Sequence, residues 1–341
     1  MRRRAVLFTA VPGTDVRISI IGAGAWGTAL ALIAAKRHEV TLHTRDAAHA
    51  ASLMQSHQNA RYLPGFVLPT MLAVTSDLKA AAHEAELIII ATPVAGLRGA
   101  AKALAPMRPR QIVYVCKGLE ENTDLLPHQV IAQVLPGVPA AVLSGPSFAT
   151  EVAAGLPVAL TAASADEVLA ERIVHTLHGG AVRVYRSSDV IGVEVGGAVK
   201  NVMAVAAGIC DGLELGANAR AALITRGLSE MMRFGTALGG APETLMGLTG
   251  VGDLVLTCTG GLSRNRRVGL ALGHGKTLAA ALASLGHVAE GVQCARAIKS
   301  SAERLGVDMP ITVSVTAILF DGLAPREALA HLLARAPRHE H

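Results

Sequence analysis

Lysine is scarce in this chain, so each one is informative. Of 31 Lys and Arg residues, seven are lysine and 24 are arginine. Lys36, Lys79, Lys102, Lys276 and Lys299 stand among polar or helix-surface neighbours and need no special role. Lys117 and Lys200 differ. Lys117 follows the apolar run IVYVC and precedes Gly118. That is the pattern of a strand's carboxyl end, where open α/β sheets gather their ligands. Lys200 lies in IGVEVGGAVKNVMAVAAG, which reads as a helix. Its neighbours at three and four residues are Gly196, Gly197, Met203 and Ala204, so its own helix offers it no carboxylate. Burial there lowers an ammonium pKa toward neutrality, as a general acid or base requires. A lysine snorkelling from a helix edge is the plainer alternative. The paired glycines favour close approach of another segment or a ligand.

A second group of residues suits an anion. Residues 247–267 read GLTGVGDLVLTCTGGLSRNRR, with Gly250, Gly252, Gly260 and Gly261 expected to form two flexible loops around a short apolar run. Asp253 is the only acid in the stretch. Ser263, Arg264 and Asn265 bring a hydroxyl, a guanidinium fork and an amide to an expected helix start, a set fitted to a phosphate monoester. A solvated basic turn is the bland alternative, and it explains the adjacent glycines poorly.

A third constellation opens the chain. Gly22 to Gly27 reads GAGAWG, with the β-branched run VRISII before it and an Ala/Leu-rich helical stretch after it. This is the dinucleotide fingerprint in its required context. Gly22 permits the tight turn, Gly24 exposes bare backbone to a pyrophosphate, and Gly27 lets helix and strand pack closely. The next strand ends in His43-Thr44-Arg45-Asp46. Asp46 suits a ribose 2′-hydroxyl and Arg45 a 2′-phosphate, so Arg45 favours acceptance of NADP, with a surface ion pair as the alternative. Trp26, the single Trp, lies either against the cofactor or in the core as an anchor for the first helix.

These residues need a frame. Short apolar runs at 16–21, 40–43, 86–91, 112–115, 140–143, 158–161 and 182–184 alternate with helical segments, which predicts a Rossmann-type domain with a mainly parallel sheet. Beyond about residue 190 the segments 190–210, 217–239, 265–273, 277–285, 291–305 and 311–320 all read as helices. The expected organisation is an extension over 1–15, a dinucleotide-binding domain over 16–190 and an all-α substrate domain over 191–335. Half the residues are hydrophobic but only 3% are aromatic, so the core is built from small and branched side chains.

Composition excludes several classes. The net charge of +5 is carried by scattered arginines, apart from those at the termini and at 264–267, without a basic face interleaved with aromatics; no nucleic acid is expected. Cys116, Cys210, Cys258 and Cys294 form no CxxC pair, which fits a reduced, cytoplasmic protein. No uninterrupted apolar stretch reaches membrane-spanning length. His175 and His178 have helix-face spacing but no third ligand, so they read as surface histidines and no metal is expected.

Taken together, GAGAWGTAL, CKGLE, SGPSFATE, GVEVGGAVKNVMAVAAG, GANARAALITRGL, GLTGVGDLVLTCT and SRNRR closely resemble, in order and spacing, the bacterial NAD(P)-dependent glycerol-3-phosphate dehydrogenases, from about residue 16 to about 335. The resemblance implies reversible hydride transfer between NAD(P)H and C2 of dihydroxyacetone phosphate, giving sn-glycerol 3-phosphate for phospholipid synthesis. It implies that Lys200 is the general acid/base, with Lys117 and Asp253 beside it. It assigns Lys117, Gly145, Ser147, Lys200, Asp253, Ser263, Arg264 and Asn265 to the substrate. To the cofactor it assigns Gly22, Gly24, Ala25, Trp26, Gly27, Arg45, Lys117, Ala149, Arg264, Val288 and Glu290. Ala25 stands where relatives often carry Ser, and Ser147 where many carry Thr. A homodimer is compatible with this reading, and stable membrane insertion is not expected. The rival readings are another two-domain hydroxyacid dehydrogenase, which should lack the clamp at 263–265, and a non-catalytic NAD(P)H sensor, which should lack the lysines.

Overall fold

The computed structural model describes residues 15–285 and 289–334. The expectations for residues 1–14 and for Val288 therefore fall outside the described residues. The chain divides into two compact units. The first comprises the described residues up to Thr92, then Gly96–Cys116 and Ile131–Val190; the second comprises Pro93–Ala95, Lys117–Val130 and the described residues from Ile191 onward.

The first unit is built on ten strands: β1 (Arg17–Ile21), β2 (Glu39–His43), β3 (Gln58–Asn59), β4 (Leu63–Val67), β5 (Ala73–Thr75), β6 (Leu87–Ile90), β7 (Ile112–Tyr114), β8 (Ala140–Ser144), β9 (Val158–Ala163) and β10 (Val182–Ser187). Eight of them form one sheet in the order β10-β9-β8-β7-β6-β1-β2-β5, and β3 pairs with β4 separately. Every pair in the large sheet is parallel except β8–β9. All four residues of β6 are buried, as a strand covered on both faces demands. The order reverses between β1 and β6, and the glycine loop leaves β1 at this switch point, the usual ligand crevice of doubly wound sheets. The expected Rossmann-type architecture is thus present. The short strands β3, β4 and β5 were not anticipated, because their two to five residues carry little alternation.

The second unit is helical around its own core, which includes Val195, Val199, Met203, Phe234, Leu254, Val268 and Ile298. Its central element is the helix Val190–Gly212, buried along nearly its whole length. By length and composition alone this helix is long and apolar enough to cross a membrane, with a mean hydropathy of 1.5. Glu194 and Lys200 interrupt it, so it is not the uninterrupted apolar stretch that the sequence reading excludes. Its most apolar window is 89% buried, the position of a core helix.

Residues 247–267 also correct the sequence reading. Gly250 and Gly252 form no loop: Leu248–Gly252 is a single π-helical turn leading into the helix Asp253–Thr259, while Gly260 and Gly261 do lie in the short connection to the next helix, Arg264–Gly273. Gly250 serves close packing, as does Gly196 on the Lys200 helix. A Cβ on Gly250 would lie 1.8 Å from the Leu245 carbonyl oxygen, and one on Gly196 would lie 2.4 Å from that of Thr249. A Cβ on Gly208 would lie 2.0 Å from the Arg266 carbonyl oxygen and one on Gly269 2.0 Å from that of Val205, and Gly212 meets Gly273, bringing the Arg264 helix into backbone contact with the Lys200 helix. His178 is corrected too. It is half-buried, and its Nδ1 accepts from the Val184 N–H at 3.2 Å, so it ties helix to strand, whereas His175 is exposed.

Candidate active site

In the first unit the glycine loop behaves as its spacing predicts. Gly22 has φ +120°, and a Cβ there would lie 2.7 Å from the Ala91 carbonyl oxygen. A Cβ on Gly27 would lie 2.0 Å from the Gly22 oxygen, while one on Gly24 would meet nothing within 4 Å. The helix Ala25–Ala34 starts at Gly24 without a side-chain cap or an acid in its first turn. Its first N–H groups and positive dipole end are left for an anion, so these residues fit a pyrophosphate. Asn59, fully buried, donates to the Ala23 carbonyl at 2.9 Å and to Thr28 Oγ1 at 2.7 Å, pinning the loop from β3. Sequence reasoning missed Asn59, because no local pattern links residues so far apart.

Trp26 is half-buried and packs with Ala25 and Ala149 against the first unit's core. Arg45 is exposed just beyond β2. The neighbouring Asp46 caps the helix Ala47–Ser56 by accepting from the His49 N–H and lies 3.5 Å from Arg61. Gly145, at φ +141°, follows β8, and the Ser147 hydroxyl donates back to its carbonyl at 3.1 Å.

The second unit gathers the chemically reactive groups. Lys200 Nζ lies 2.5 Å from Asp253 Oδ1, and Lys117 Nζ lies 2.6 Å from Asp253 Oδ2. Lys200 also donates to Thr257 Oγ1 at 3.0 Å, and that hydroxyl donates to the Asp253 carbonyl one turn back. Asp253 is 1% exposed and Lys200 6%. Lys200 is therefore no snorkelling surface lysine; its carboxylate comes from another helix. Burial lowers its pKa to about 8, with Asp253 pulling upward and the Lys117 charge pushing further down. Burial alone would raise the Asp253 carboxyl, but the two ammonium groups overcome it and hold the pKa below its ordinary value. One carboxylate thus holds two ammonium groups, one of which gives up its proton near neutral pH.

Beside this group, Ser263 caps the Arg264 helix by accepting from the Arg266 N–H at 3.2 Å. Arg264 is exposed, whereas Arg266 is committed to Asp211. Asn265 is buried and spans two partners: it donates to Asn201 Oδ1 at 2.9 Å and accepts from the Gly291 N–H at 3.0 Å. Asn201 in turn reaches Glu290 at 3.4 Å. Burial raises the Glu290 pKa, against the opposing charges of Arg264, Lys117 and Lys200. Thr257 and Asn201 were not singled out in the sequence. Asn201 had a signal, being the single side-chain amide on the Lys200 helix. Among the described residues, none form a group of three or more fit to hold a metal ion.

The comparisons agree with this geometry. Residues 17–170 match the profile of the NAD-dependent glycerol-3-phosphate dehydrogenase N-terminus, and residues 189–330 match that of the C-terminus. A glycerol-3-phosphate dehydrogenase, NAD(P)+, of Janthinobacterium sp. (strain Marseille) is 57% identical over 329 residues, 95% of this chain and 99% of that protein. The crystal structure of glycerol-3-phosphate dehydrogenase from Coxiella burnetii superposes with a TM-score of 0.91 at 44% identity, covering 94% of this chain and 99% of that one. The Saccharomyces cerevisiae enzyme gives 0.79 at 26% identity, covering 93% and 99%. With both halves of the family pattern matched, and a dinucleotide loop and a paired-lysine site both in place, the chain belongs to the NAD-dependent glycerol-3-phosphate dehydrogenase family.

Proposed function

We propose that this chain interconverts dihydroxyacetone phosphate and sn-glycerol 3-phosphate with NAD(P)H, and that Lys200 is its general acid/base. The observation that carries this reading is the buried Lys200–Asp253–Lys117 group. When bound, the nicotinamide supplies the hydride that reaches the substrate's C2. Lys200 gives its proton to the forming alkoxide and recovers it in the reverse direction. Lys117 polarises the same oxygen, and Asp253 keeps both ammonium groups in place and Lys200 charged below about pH 8. Arg264 and the Ser263-capped helix start hold the phosphate, with Gly145 and Ser147 as further substrate contacts. Remote binding of this kind orients the carbonyl.

For the cofactor we assign Gly22, Gly24, Ala25, Trp26 and Gly27 to the pyrophosphate loop, with Arg45, Ala149, Lys117, Arg264 and Glu290 as further contacts. Asp46 is engaged in its helix cap, so Arg45 is the residue left for a 2′-phosphate. We assign dinucleotide binding to 16–190 and substrate binding to 191–335. A cytoplasmic, homodimeric enzyme that feeds phospholipid synthesis, without membrane insertion or nucleic acid, completes the proposal. The test is dihydroxyacetone phosphate reduction followed at the nicotinamide absorbance band, with NADH and NADPH side by side. Turnover with this substrate and none with unphosphorylated 2-oxo acids supports the reading; the reverse selectivity refutes it.

A further inference from the structure

We infer that Glu194 and His128 are positioning residues for Lys117: they pin the strap Lys117–Val130 to the helix that carries Lys200, and so set how two ammonium groups share Asp253. This rests on the lysine-pair reading above. The strap lies between β7 and β8 in sequence but belongs to the helical unit. Its first residue is Lys117. Its early course is irregular, with positive φ at Gly118, Asn122 and Asp124, so its own secondary structure does not hold Lys117 in place.

Its position comes from anchors elsewhere in the second unit. Leu119 and Leu126 are buried in the helical core. The Asp124 carboxylate accepts from Ser300 at 2.8 Å and from Arg304 at 2.5 Å. Glu194 makes the third anchor. Its Oε1 accepts from the His128 backbone N–H at 2.7 Å, and its Oε2 lies 2.6 Å from His128 Nδ1. A carboxylate only accepts, so Nδ1 carries the hydrogen. Glu194 is 1% exposed, and it lies six residues before Lys200 on the same helix. Burying a carboxylate is costly unless it is fully bonded. This one is spent on the first turn of the helix Pro127–Val134, which closes the irregular stretch that begins at Lys117.

The consequence is readable in a titration. The groups facing Lys200 are Asp253, Lys117 and the Thr257 hydroxyl, with Glu290 and Cys258 in electrostatic range. Of these, loosening the strap displaces Lys117, whose charge opposes that of Lys200. Lys200 then holds its proton to higher pH.

The experiment uses the full chain, reducing dihydroxyacetone phosphate with NADPH across a pH series. His128→Ala should lower kcat by about tenfold or more, since small misplacements near the reacting atoms have large effects. It should also move the alkaline limb upward by about half a pH unit, through the lost ammonium charge. His128→Asn, whose amide replaces the Nδ1 donor, should restore both. Should His128→Ala not fold, Glu194→Met keeps much of the volume, removes both acceptor oxygens and should move the limb in the same direction. Wild-type kcat in the folded variants, or a lower kcat with the limb unmoved, overturns the inference. Lys117→Ala is run alongside. If it leaves kcat and the limb unchanged, the lysine-pair reading itself fails; if it moves them and His128→Ala does not, only the positioning role fails.

Discussion

Replacing Asp253 by Asn removes the one carboxylate between two ammonium groups. Breaking a buried ion pair by deleting one partner costs about 3–5 kcal/mol when the orphaned charge stays put. Here a cheaper route exists. The Lys200 proton is already loosened to a pKa of about 8, so releasing it at pH 7 takes about one pKa unit, roughly 1–2 kcal/mol. That sets a ceiling on the stability lost through Lys200. The sign follows from linkage. The folded pKa lies below the unfolded one, so the wild-type folded state binds fewer protons between about 8 and 10.5, and its stability rises with pH across that window. Above about pH 8 the wild-type lysine is itself neutral, and the gap between the two proteins narrows. Urea unfolding of Asp253→Asn at pH 7 and pH 9 reads this directly. Activity behaves otherwise: with Lys200 neutral at pH 7, kcat for reduction should fall about 10²–10⁴-fold, the usual worth of a general acid. A loss of about 4 kcal/mol or more at both pH values, or a near-normal kcat, refutes the reasoning.

Wild-type kcat for reduction should fall above about pH 8, where Lys200 loses its proton, while oxidation, which needs the neutral amine, should rise up to that pH; initial rates in both directions check it. Arg45→Ala should weaken NADPH binding by about tenfold, an exposed charge-assisted contact, and leave NADH nearly unchanged; equal effects on both cofactors in a fluorescence titration remove the 2′-phosphate role. Gly196→Ala places a Cβ 2.4 Å from the Thr249 carbonyl oxygen, just ahead of Asp253. Overpacking should destabilise the protein by about 1–3 kcal/mol and lower kcat, and a thermal shift beside a rate measurement checks both.

What could be read from the sequence was local. Gly22, Gly24 and Gly27 follow a six-residue pattern between a strand and a helix, and the structure packs Gly22 and Gly27 against backbone while leaving Gly24 open. Lys200 stood out because the positions three and four residues away on its helix offer no counter-charge, a purely local argument. Its actual partner, Asp253, lies 53 residues on, just after glycines that read as loop formers, because glycines that allow close packing look identical to glycines that allow flexibility. The same ambiguity hid the π-helical turn. Thr257, Asn59 and the Glu194–His128 pair were invisible for a simpler reason. Each joins segments between 31 and 66 residues apart, and no periodicity encodes such a meeting. Asn265 was expected on the phosphate, yet much of its amide already ties Asn201 to Gly291.

The most direct test is the turnover of Lys200→Ala with dihydroxyacetone phosphate, measured beside its affinity for NADPH. The account predicts that turnover is lost while cofactor binding changes little, because Lys200 serves the proton and the glycine loop serves the dinucleotide. A variant that binds NADPH normally and still reduces the substrate at a near-normal rate would contradict it.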